Sequence, residues 1–131
     1  MASVAGHPAS GGPAVRPWPI VLLLAGCALE PPVDQPLVPV PVEYPQWWHE
    51  VESCVGRSGD FNRVEWYVAD LATTREEAGV TYGKQVWIDH GFLNHQMVVK
   101  HEMYHVLGGD GDHSEPEWRA CHLTWDSQIA G

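Results

Sequence analysis

The distribution of proline constrains this chain more than any other feature. Pro31, Pro32, Pro36, Pro39, Pro41 and Pro45 crowd one short stretch, and only Pro116 of the eleven prolines lies beyond it. Proline fixes φ and brings no backbone donor, so so dense a segment cannot form a helix interior or a central strand. Residues 27–45 are therefore expected as an extended, semi-rigid tether, although Val38, Val40 and Val42 also suit an arm packed on the domain. The boundary falls near residue 45 and leaves residues 46–131 for folding. A domain this small is marginal on hydrophobic burial alone and is helped by a staple.

Upstream, residues 1–26 carry an address. Arg16 supplies a positive n-region and Ile20 to Ala25 an apolar h-region, too short to span a bilayer. Leu24-Ala25-Gly26-Cys27 resembles a bacterial lipobox, which implies cleavage before Cys27, lipidation of its thiol and attachment to a membrane of the cell envelope, facing the periplasm or the surface. Cys54 and Cys121 then remain, and export to an oxidising compartment predicts a disulfide between them. The chain has 7 basic and 17 acidic residues, a formal −10, and lacks the basic stripe of a nucleic-acid binder.

Within the domain, Trp47, Trp48, Val51, Cys54 and Val55 recur at helical spacing over residues 46–56. Residues 62–69 and 85–89 alternate in polarity and predict strands. Thr74 to Glu77 has capping-box spacing for a short helical turn. Asn94 suits the cap of a helix running to about Leu107, where Gly108 and Gly109 stop it. A last short helix is expected from Pro116 to about Trp125.

The helix before Gly108 carries His101, Glu102 and His105. Residues four apart share a helix face, so both imidazoles can reach one metal ion. Glu102 points about 100° away from His101 and can serve a water beside the metal without being a ligand. Val99, Met103, Val106 and Leu107 form an apolar stripe that seats the helix in a core.

His101 to Gly108 reads HExxHxxG, which resembles the zincin metallopeptidases and, among them, the metzincin-like branch. The resemblance implies a small α+β domain with a short twisted sheet, an active-site helix, a ligand loop and a short C-terminal helix. In that layout an edge strand flanks the cleft, and the strand at 85–89 is placed there. A zinc ion, a peptide or protein substrate and a general-base role for Glu102 are also implied. The pattern departs from metzincins in two ways. The position of the family's third histidine is Gly111, and no methionine follows Met103 for a Met-turn. His113 is the favoured third ligand, because a loop freed by Gly108, Gly109 and Gly111 can return it to the metal, with Asp112 orienting a ligand imidazole. Asp110, Asp112, Glu117 and Asp126 are rival ligands. Tyr82, Tyr104 and His122 have the chemistry of a second electrophile without any spacing that selects one. His49, His90 and His95 are read as surface or structurally satisfied residues. The rival function is a non-catalytic, zinc-stabilised envelope lipoprotein, to which Glu102 offers no evident benefit.

Overall fold

A computed structural model describes residues 35–128. The signal segment and Cys27 lie outside the described residues. The domain is α+β. Strand β1 (Gln35–Pro36) leads to helix α1 (Tyr44–Val55), a 3-10 turn (Phe61–Arg63), β2 (Glu65–Ala69), β3 (Gly79–Tyr82) and β4 (Gln85–Asp89). Helix α2 (Gln96–Val106), the short helix α3 (Glu117–Ala120) and a 3-10 turn (Trp125–Ser127) follow. The sheet order is β1-β2-β4-β3, with β2 and β4 parallel and both outer pairs antiparallel.

Helix α1 places Tyr44, Trp48, Val51 and Val55 on one buried face, and Gly56 ends it at φ 75°. The central strand β4 is covered on both sides. Val86 and Ile88 face the helices, while Trp87 stacks on Tyr67, its direct β2 partner, with ring centroids 4.9 Å apart. Helix α2 buries Val99 and Met103 fully, each contributing roughly 1.5–3 kcal/mol of transfer free energy.

The stretch 35–45, expected as tether, packs on the domain. Gln35 and Pro36 pair with Val68 and Tyr67, and Leu37 and Val40 lie against the core. Pro36 is tolerated because β1 is an edge strand. The arm packs through Leu37 and Val40, while Val38 and Val42 are exposed.

Four local expectations are corrected. The cap of α2 is His95, whose Nδ1 accepts from the Val98 amide at 3.4 Å, in place of Asn94. The strand at 85–89 is interior; the edge strand beside α2 is β3, where Thr81 bonds Glu102. The C-terminal helix is broken into α3 and the 3-10 turn, because His122 adopts φ 58°, which no helix accommodates. Near Thr74 a single turn forms, but it closes earlier, from the Arg75 amide to the Leu71 carbonyl at 2.8 Å.

Cys54 and Cys121 form a disulfide, with S–S 2.04 Å, joining the end of α1 to the end of α3. Among the described residues, no helix is long and apolar enough to cross a membrane.

Candidate metal centre

Helix α2 ends in a Schellman turn that starts the return of the chain. Gly109 N donates to Tyr104 O at 2.8 Å and Gly108 N to His105 O at 3.1 Å, with Gly108 at φ 100°. The next residues swing back along the helix. As a result His101, His105 and His113 converge, with one ligand atom from each lying within 4.8 Å of the other two. No other described His, Cys, Asp or Glu joins this group.

Two of the three rings are fixed by backbone carbonyls. His101 Nδ1 lies 2.6 Å from Leu123 O, and His105 Nδ1 lies 3.4 Å from Gly109 O. A carbonyl only accepts, so each Nδ1 carries the proton and each Nε2 presents a lone pair. His105 Nε2 and His113 Nε2 are 3.1 Å apart. Two imidazole nitrogens at about 2.0–2.1 Å from a tetrahedral zinc-sized ion stand about 3.3 Å apart, so the donor set fits a metal. Burial pushes His101 down to about 4, with a smaller contribution from His105 and His113, and burial also lowers His105. Neutral imidazoles are the ligating form.

Glu102 turns away from the histidines toward β3. It is 5 % exposed, and Thr81 Oγ1 donates to its Oε2 at 2.6 Å. Burial raises its carboxyl to about 7; Glu77 adds to the rise and the Thr81 bond opposes it. A Cβ on Gly79 would stand 2.9 Å from Glu102 Cγ, so β3 passes over this side chain only because residue 79 is glycine. His101 and Glu102 share a cleft of about 220 Å³, also lined by Glu76, Glu77, Met97 and Trp125.

Positive φ at a residue other than glycine costs roughly 1–2 kcal/mol and concentrates at functional sites. It occurs at Glu76 on the cleft, at His113 within the triad and at His122, the residue before Leu123.

The rival ligands have other duties. Asp110 accepts from Trp118 Nε1 and Ser114 N, and Asp126 is paired with Arg119. Glu117 and Asp112 stay outside the cluster, and the carbonyls of Leu123 and Gly109 do what was expected of Asp112. None of the three candidate electrophiles lines the cleft. Tyr104 is fully buried and donates to Glu115, Tyr82 accepts from Arg75, and His122 bonds Ser127 O. His49 pairs with Glu52 and His90 with Asp70, while His95 caps α2.

What the sequence did not reveal is the support. Backbone carbonyls carry no residue identity, so no motif points to Leu123 or Gly109. Thr81 and Gly79 lie on a strand too short to show a period. Comparison with protein-family models, with curated proteins and with solved structures finds no match.

Proposed function

We propose that this chain is a zinc-dependent peptide hydrolase in which His101, His105 and His113 hold the metal and Glu102 is the general base. The observation that carries this reading is the convergence of three imidazoles, two of them oriented by carbonyls, one of which, His101, shares a cleft with the buried carboxyl of Glu102. Bound zinc supplies Lewis acidity and lowers the pKa of a coordinated water toward ~7. The chain's own residues do the rest. Leu123 and Gly109 keep two ligand lone pairs aimed inward. Thr81 fixes one oxygen of Glu102 and leaves Oε1 with no hydrogen-bond partner among the described residues, able to take a proton. Three protein ligands without a fourth suit catalysis better than a structural site. The disulfide already staples the fold, which weakens the case for a purely structural metal.

The same reading puts the domain outside the cytoplasm, where a disulfide persists, and makes Cys27 its lipid anchor. Cys27→Ser is then expected to release the protein from membranes.

The test begins with elemental analysis of the dialysed chain, where about one zinc is expected. His113→Ala should deplete it more than Asp110→Ala or Asp126→Ala. Glu102→Gln should keep the zinc and the melting temperature while hydrolysis of a peptide library falls roughly 10²–10⁴-fold. A folded chain without metal refutes the reading. Tight zinc with no cleavage by the parent favours the non-catalytic alternative.

A further inference from the structure

Behind the three histidines lies Trp118, with no exposed surface. Its ring centroid is 4.6 Å from that of His101, 4.7 Å from His105 and 4.6 Å from His113. One indole thus touches every imidazole of the triad. It is held in turn. Tyr104 packs at 4.5 Å, and Nε1 donates to Asp110 Oδ1 at 2.6 Å. The other Asp110 oxygen accepts from Ser114 N at 2.7 Å, so one carboxylate ties the indole to the residue following His113. A Cβ on Gly109 would come within 2.9 Å of both Trp118 and Tyr104, so the returning chain lies flat on this floor.

We propose that Trp118, pinned by Asp110, is the positioning residue of the histidine centre, an apolar floor that sets the mutual angles of the three imidazoles. The inference rests on the metal-binding reading given above. A flat side chain in contact with three rings restricts each ring's swing about χ2. The carbonyl bonds fix which nitrogen faces the metal, but neither of them reaches His113. For His113, alone of the three exposed to solvent, the floor and the Asp110 tie supply the order. An apolar backing also closes one side of the centre to water, a property that tunes metal sites.

Cobalt(II) loaded into the full chain gives a visible spectrum that reports ligand geometry. The parent is expected to bind about one cobalt with tetrahedral bands. Asp110→Ala leaves the core volume intact but frees the indole. It should shift those bands and weaken cobalt and zinc binding roughly 10–100-fold. Asp110→Asn keeps an acceptor for Trp118 Nε1 but loses the one for Ser114 N, so its affinity should fall between those of the parent and Asp110→Ala. Trp118→Phe should shift the bands as Asp110→Ala does, with folding checked by near-ultraviolet circular dichroism. If Trp118→Phe fails to fold, the Asp110 pair decides. Bands and affinity unchanged in Asp110→Ala, or merely a lower melting temperature, overturn the proposal. Equal loss in Asn and Ala also overturns it, since the bond to the indole then contributes nothing. A parent that takes up no cobalt refutes the metal reading itself, a result distinct from the others.

Discussion

Replacing both Cys54 and Cys121 by Ser removes a cross-link between residues 67 apart in sequence. The chain-entropy relation for a loop of that length gives about 4 kcal/mol at 25 °C. A domain of this size has roughly 5–15 kcal/mol in all, so the change takes a large share of it. The expected fall in melting temperature is on the order of 15–30 °C. The bond also bears on the centre. Cys121 is two residues from Leu123, whose carbonyl holds His101 Nδ1 at 2.6 Å. Freeing this segment should therefore weaken zinc binding as well as the fold. Urea titration of the parent and the double-Ser variant gives the first quantity, and competition with a zinc chelator at low urea gives the second. A stability difference below about 1 kcal/mol refutes the loop argument. A large stability loss with unchanged zinc affinity refutes the link to His101.

Gly79→Ala should push Glu102 off Thr81 and lower hydrolysis at least about tenfold with zinc content unchanged, as kinetics beside metal analysis will show. Asp89, 4 % exposed, accepts from the amides of Leu71, Ala72 and Gly91; Asp89→Ala strands these donors and should cost at least ~3 kcal/mol by chemical denaturation. Hydrogen bonds from Arg57 and Tyr104 hold the Glu115 carboxyl below its ordinary range. Its contribution to stability is fully present above the unfolded value of about 4.3 and is lost as pH falls through the lower folded value. Glu115→Gln should thus be less stable than the parent at pH 7, with the two converging in acid when urea midpoints are compared across pH.

Sequence period disclosed the elements that are long or two-sided. Helix α1 shows its buried face at Trp48, Val51 and Val55, and β4 shows Val86 and Ile88 against the polar Gln85. The triad was legible because two of its members share a helix face and glycines let the third return. The disulfide followed from having two cysteines left. Other features had no such signal. Strand β3 has four half-buried residues and no alternation to read. Asn94 is the better cap by composition, yet His95 takes the role: it stands directly before Gln96 with extended backbone, φ −88° and ψ 102°, and its Nδ1 accepts from Val98 N. Trp118 reads in sequence as one more apolar residue of a short helix. Its place under three imidazoles is set by the loop's path, which sequence does not display.

Helix α2 carries the centre on two flanks, since neighbouring residues point about 100° apart. On one flank the Leu123 carbonyl grips His101 at 2.6 Å; on the other, Thr81 grips Glu102 at 2.6 Å. Mechanically, the two contacts act as stays on the roll of a cylinder. Turning α2 by about 10° would carry a side-chain tip ~6 Å from its axis through about 1 Å, enough to slacken one stay while driving the other into its partner. Misplacement of that size can cost roughly 10²-fold in rate. The helix is thereby held against rotation by the sheet on one hand and by the disulfide-anchored C-terminal segment on the other, with His101 tied on one flank and Glu102 on the other.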